Sequence, residues 1–514
     1  MAIVKIEDMA GGFMPDPMAQ ELPLGAASAV TNMRCAAGFA ERYRGMANVF
    51  GVPGATPYWI APYASLTNRL WVTGCLAKLY AYDGAAQSQF DITPVAPPTG
   101  AVDDRYTGGL FNGVLLINNS KDAPWAWGGA TGTPAILLPN WDPTHRAAWM
   151  RPFGNYIFCG GITKGSTNYP HMLKWSSAAV PGAVPGTWNP ADPSQDANER
   201  DLAETADVMV DALPMGDVLI IYKERSRYSA RYVGGQQIFA TQRLPGDEGM
   251  LARNCAADTP IGHVVLTAGD VVVHQGGPAV SLADGVIRKW IFNNMNSLRA
   301  SRSFVVANPQ KSEVLVCFPT NDSEVCDTAA VYNWITKKWG TRSLVACNHA
   351  AAGQINASAT VLQWDMDNDT WDSDATAWNE NEYAANEARV LFARTGAISA
   401  FDVGTTDFGA TIASRLERTG MTFGDAFSNK LLKGIYPHID APPGTVVRIA
   451  AGSAMNSSEN VTWAPAVDFT VGGGDNLACC MVQGRQLAVR IDGTGFQPWR
   501  IRSMDLDIVG TGSR

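Results

Sequence analysis

The sequence predicts an all-β protein built around a β-propeller of about six to eight blades, and three observations carry that prediction. A strand–turn–strand phrase returns seven times between residues 70 and 402. The 50 glycines and 30 prolines are spread along the chain instead of pooled in one tract, as many short strands and turns require. Successive phrases end roughly 42 to 63 residues apart, a spacing that suits a four-stranded blade with variable loops. A blade cannot bury both faces alone, so repeats of this kind stack on their neighbours. An irregular array of β-sandwiches is the rival architecture.

The copies run in order as Leu70–Gly84, Leu110–Gly129, Tyr156–Ser176, Val218–Gly234, Val264–Gly276, Val314–Trp339 and Val390–Asp402. Each joins an apolar run through a Gly, Asn or Asp turn to a second run, which often closes on an aromatic residue. Residues 1–55 read as an extended N-terminal arm, with Phe13–Met18 broken by two prolines and a short helix or strand through Ala26–Arg34. Residues 56–405 carry the repeats, interrupted by the polar insert Pro181–Arg200 and the acidic insert Asp365–Glu387. Glu382–Phe392 is the best candidate for a short helix. Residues 406–514 show alternating runs (Val446–Ala450, Ala488–Ile491, Met504–Val509) between glycine-rich turns, which predicts a small antiparallel β-domain. The arm is too short to fold alone and is expected to pack on that domain.

Composition bounds the function. The 514 residues exceed one ordinary core. Charged residues make up only 17%, and there are 16 tryptophans, which favours a component of an assembly over a free enzyme. A net charge of −9 argues against sequence-reading of nucleic acid, which needs clustered Lys and Arg to displace counterions. The nine cysteines have no metal-binding spacing; Cys75, Cys159 and Cys317 sit in apolar runs, and Cys317 and Cys326 flank a turn, with the reduced form expected. The opening residues lack the basic and apolar segments of a signal peptide, and no apolar run reaches 18 residues, so no membrane-spanning segment is expected.

Both ends of the chain then point one way. Leu22-Pro-Leu-Gly25, Ala26–Val30, Asn32, Arg34, Gly38 and Glu41-Arg42-Tyr-Arg-Gly45 resemble the opening of tail nozzle proteins of short-tailed bacteriophages, also called tail tubular or stabilisation proteins. There an N-x-R segment and then G-x-x-E-R-x-x-G precede a propeller. The closing stretch Lys433–Asp440, Val461-Thr-Trp463, Gly484-Arg485, Ala488–Ile491, Trp499-Arg-Ile501 and Asp505–Gly510 is similar to the final β-domain of the same family. The resemblance implies a structural virion protein in the phage tail, made in the host cytoplasm. It implies a homohexamer below the head-to-tail adaptor, bearing tail fibres or spikes, that conducts and gates double-stranded genomic DNA without recognising its sequence. The channel wall would be mostly acidic and polar, Asp365–Asp374 included.

No residue pattern singles out a catalytic, cofactor or metal site. The run Asp365, Asp367, Asp369, Asp372 and Asp374 offers oxygen ligands, but the sixth and twelfth positions of an EF-type loop hold Thr370 and Thr376. Asp369-Thr370-Trp371 and Asn460–Trp463 are partial Asp-box turns, which are structural. Asp103, Asp104, Glu224 and Asp270 supply carboxylates without a spacing that selects an acid–base pair for glycoside cleavage. Gly472–Gly474 is a bare turn with no following Lys-Ser/Thr. His263 and His274 flank one hairpin and are expected at the surface or at an interface, not as ligands. Lys223, Arg225, Arg227 and Arg231 form the one basic run, expected to face other subunits. The alternative function is a glycan-cleaving (sialidase-like) or glycan-binding propeller.

Overall fold

The computed structural model describes residues 2–512 apart from 37, 66–68, 84–87, 236, 356–387 and 475. Five separate four-stranded antiparallel sheets, and two further four-stranded units that share a strand within a larger sheet, form a seven-bladed β-propeller with a β-sandwich attached. Blades 1 to 5 are contiguous in sequence and begin at Trp59, Thr107, His145, Met209 and Ala256. Alternate apolar residues on each strand fill the seams between blades. Trp71, Trp125, Trp127 and Trp149 lie among the largest fully buried side chains.

Blades 6 and 7 share a strand. Lys338–Gln354 pairs along its first part with Cys326–Asn333 of blade 6, and along its last part with Ala388–Arg394 of blade 7. Blade 7 is completed by Ala397–Phe401 and by Met46–Val49. That last strand, assigned from sequence to the arm, is the outer strand of the final blade. It closes the ring with chain from in front of the first blade. The closing seam is stitched by Trp71 Nε1 donating to the Gln354 carbonyl at 3.0 Å. A tight hairpin pins its register only locally, whereas this closure pairs residues some 350 apart, as Ala47 with Ala400.

The candidate helix fails over its described part. Ala388–Arg394 is a strand paired on both sides, and Glu382–Glu387 lies outside the described residues. Val390, Leu391 and Phe392 are all buried. A run buried on both faces has no periodicity that separates helix from strand. The α-helix among the described residues is Arg288–Asn294, between blades 5 and 6.

Residues 406–512 form two facing sheets with the arm. One contains Ser414–Met421, Gln486–Gly493 and Val446–Ala454, edged by Ala29–Thr31 of the arm. The other contains Asn429–Asp440 and Arg500–Gly512, edged by Ala2–Ile6. Leu416, Ile449, Ile491, Leu432 and Leu506 meet between them, and the same apolar cluster continues through Phe13, Val30 and Met33 to Tyr222, Val264 and Val316 of the propeller. The two parts therefore share one core. No helix among the described residues is long and apolar enough to cross a membrane.

Candidate functional site: the propeller axis and the joint

Two polar constructions stand out, one on the propeller axis and one where the arm joins propeller to sandwich. On the axis, Arg151 of blade 3 reaches three other blades. Its Nε and Nη2 donate to Asp211 of blade 4 at 2.9 and 2.6 Å. Nη2 also donates to Asn254 Oδ1, just before blade 5, at 2.8 Å, and Nη1 to the Gly108 carbonyl of blade 2 at 3.1 Å. Asn254 Nδ2 crosses the axis to the Tyr106 carbonyl at 3.0 Å. Arg105 Nη2 donates to the Asn348 carbonyl of blade 7 at 2.9 Å, and Asn348 Nδ2 to the Pro57 carbonyl at 3.0 Å. Side chains on and just before the innermost strands thus tie the ring across its middle. His349 lies in the same layer; burial, then the charges of Arg105 and Arg151, hold its pKa well below the ordinary value. It is a neutral imidazole at physiological pH.

At the joint, the residues that carry the terminal resemblance turn inward. Asn32 sits in the left-handed region (φ 53°), which asparagine tolerates better than most residues. Its Oδ1 accepts from Ser343 N–H at 2.7 Å and from Arg342 Nη1 at 3.2 Å, and its Nδ2 donates to the Ala413 carbonyl at 2.8 Å. Arg34 forks onto Glu313 of blade 6 at 2.6 and 3.0 Å and onto Asp402 beside blade 7 at 2.9 Å. Glu41 completes the group at 3.2 Å. Burial opposes the charge on Arg34, but Glu313 and Asp402 outweigh it and hold its pKa well above the ordinary value. Arg42 donates to the Phe496 and Gln497 carbonyls of the sandwich and to the Thr405 carbonyl at 2.7 to 2.9 Å. Gly38 turns the hairpin at φ 78°, and a Cβ on Gly45 would lie 1.9 Å from the Thr406 carbonyl oxygen. Those motif positions are therefore filled for backbone reasons.

Other residues singled out from sequence fall differently. The basic run is split. Lys223 is fully buried, its Nζ capping the Leu202 and Thr205 carbonyls at 3.0 and 2.9 Å, and Arg227 is buried against Pro245 and Glu248. Arg225 and Arg231 are exposed, Arg231 pairing with Asp217 at 2.8 Å. Strand alternation sends neighbours to opposite faces, and in a blade both faces are seams, so inward positions here take charged residues with local partners.

His263 and His274 are interior, at 0% and 3% exposure, not superficial. They face each other across the hairpin of blade 5, and Tyr222 Oη of blade 4 bridges them at 2.8 and 2.7 Å. His263 Nε2 lies 2.9 Å from the Pro214 carbonyl, so it carries the proton and Nδ1 accepts from Tyr222. His274 Nδ1 accepts from Gly276 N–H at 3.2 Å, so its Nε2 donates to Tyr222. The relay is satisfied only with both rings neutral.

Asp103 pairs with Arg302 at 2.7 Å, Asp104 caps Ala101 N–H at 2.8 Å, Asp270 caps Val271 N–H at 2.7 Å, and Glu224 is exposed on blade 4. Each is occupied locally or stands apart from the others. Cys326 faces Cys347, not Cys317, and all nine thiols are free. Trp463 stacks under Arg490 at 4.7 Å. Asp365–Asp374 and Asp369–Trp371 lie outside the described residues. Among the described residues, no group of three His, Cys, Asp or Glu is placed to hold a metal ion. The axial tie was not foreseen: Arg105, Arg151, Asp211 and Asn254 lie far apart in sequence, and only ring closure brings them together.

No family model matches the chain, and no curated protein matches it. Solved propellers resemble it weakly. The WD40 β-propeller domain of Doa1 aligns at 8% identity over 70% of this chain and 97% of that one, with a TM-score of 0.40. YCF48 bound to D1 peptide aligns at 11% identity over 73% and 97%, with a TM-score of 0.37. The β-propeller fold rests on the chain's own sheet order.

Proposed function

We propose that the chain is a structural virion protein, a tail nozzle subunit whose ring of six conducts, retains and releases double-stranded DNA. One observation carries the reading. The N-x-R and G-x-x-E-R-x-x-G residues that resemble the nozzle family form the joint, where Asn32, Arg34 and Arg42 lock propeller to sandwich. A subunit that resists pressure from packaged DNA must not flex between its parts, and a shared core with a charged lock meets that need. The tied axis adds a constraint: the genome passes between copies, around the symmetry axis of the ring, not through one propeller. Closed rotational symmetry then needs a single heterologous interface. The head-to-tail adaptor and the tail fibres or spikes are the partners this reading assigns to the ring's ends.

Mass measurement in solution, with imaging of the particles, tests the proposal. The expected result is a six-copy ring with a central opening. A monomer at high protein concentration that cleaves or binds surface polysaccharide would replace it with the glycan reading.

A further inference from the structure

A cavity of about 380 Å³ opens on the sandwich and shares no residue with the axis or the joint. Its size lies within the range of ligand pockets, roughly 300–1,000 Å³. Ile3, Pro437 and Phe469 give it apolar walls, and His438 and Asp505 supply polar groups. Strand register gathers those groups. Asp505 pairs with Lys5 on one side and with Tyr436 on the other, so the three side chains share one face of the sheet. Asp507 follows on that face, two residues along. His438 Nε2 donates to Asp505 Oδ2 at 3.1 Å. Asp505 Oδ1 is covered and has no hydrogen-bond partner among the described residues, and the same holds for Asp507 Oδ1. Lys5, straight across from Asp505, lies 4.0 Å from Glu7 instead. The Asp505 carboxylate, at 25% side-chain exposure, therefore meets the cavity with its charge only partly answered. A covered carboxylate oxygen without a donor costs free energy, and a cation beside the group offsets that cost.

We infer that this cavity is a binding site for a small organic cation, a primary alkylammonium whose nitrogen donates to Asp505 and whose stem lies on Ile3, Pro437 and Phe469. The covered Oδ1 selects the head group, because it leaves Oδ2 as the oxygen open to a ligand. A guanidinium fork is matched by two parallel acceptors, whereas an ammonium is a compact point charge that needs one. A hard metal ion needs several oxygen ligands, and no group of three His, Cys, Asp or Glu is placed to supply them among the described residues. The apolar walls favour a stem of several carbons over a bare ion. Lys5 is the chain's own competing ammonium, on the same face as Asp505.

Ligand-observed NMR titrations of the full-length protein test the site with n-butylammonium, methylammonium and n-butanol at matched ionic strength. The n-butylammonium ion should bind, roughly 10-fold tighter than methylammonium because its extra methylenes leave water. Asp505→Asn keeps the shape and should weaken binding roughly 10-fold to 100-fold, the value of one charged hydrogen bond. Lys5→Gln, at an exposed position, should tighten it. Comparing 1,4-diaminobutane with an Nα-acetyl-lysine amide then separates a free amine from a partner's lysine side chain, the tighter binder naming the source. Absence of n-butylammonium binding to the wild-type protein would overturn the site. So would equal binding of n-butanol, or an affinity unchanged in both variants.

Discussion

The propeller and the sandwich are built from the same kind of strand but by opposite logic. Blades 1 to 5 pair each strand with the next one along the chain. The sandwich pairs Ala2–Ile6 with Arg500–Gly512 and Ala29–Thr31 with Ser414–Met421, joining the two ends of the chain. Local pairing incurs little loop-closure entropy and leaves a repeat in the sequence. Distant pairing leaves no repeat and must be held by specific side chains. Arg34 serves that purpose at the joint, as Arg151 does where the ring brings blades 2 to 5 together. Folding of the blades can precede docking of the ends, whereas the sandwich waits for both.

Deleting residues 1–45 is the most severe way to break this comparison. It removes the edge strands of both sandwich sheets but keeps Met46–Val49, so blade 7 can still close. The expected outcome is a propeller resistant to limited proteolysis beside a digested C-terminal region. A C-terminal region that stays protected would mean that the sandwich folds without the arm.

Arg34→Ala comes next in size. It strands Glu313 and Asp402, at 1% and 7% side-chain exposure, as buried carboxylates without their cation. The expected loss is about 3–5 kcal/mol in denaturant melts. A loss under about 1 kcal/mol would show that water or a rearranged neighbour replaces the guanidinium.

The bridged histidines sharpen the comparison within the propeller, at the seam between blades 4 and 5. Tyr222→Phe leaves His263 Nδ1 and His274 Nε2 without their shared partner, for about 1–3 kcal/mol. The pH dependence has a definite sign. Burial, then the Arg227 charge, lowers the His274 pKa from 6.5 to about 3. Burial lowers that of His263 too, against the pull of the Pro214 carbonyl and Asp258. The unfolded chain therefore binds more protons below pH 6.5, and stability falls as the pH drops from there toward 3. Above pH 6.5 this contribution is fully present. A His274→Gln variant should flatten the acid limb of a stability–pH curve; an unchanged slope would assign the acid sensitivity elsewhere.

Arg231→Ala is the smallest effect. Its pair with Asp217 is solvent-exposed, and the expected change is about 0.2–1 kcal/mol, screened by salt. It lies eight residues from buried Lys223, where Lys223→Ala would leave the Leu202 and Thr205 carbonyls without their donor. A larger loss for Arg231 than for Lys223 would contradict their placement.

The sequence by itself determined the fold class, because a blade is a local object: period-two runs, turn residues and spacing all lie within some 60 residues of one another. It also marked Asn32, Arg34 and Arg42 as a pattern, though not their purpose. The tertiary structure decided what depends on distant partners. It set the count at seven, since the last blade borrows Met46–Val49 and shares the strand Lys338–Gln354. It made Ala388–Arg394 a strand, buried Lys223, Arg227, His263 and His274, and drew Arg105, Arg151, Asp211 and Asn254 to one axis. A charge in the sequence reads as surface because burying it is costly. Only the fold supplies the carbonyls, carboxylates and hydroxyls that offset the cost.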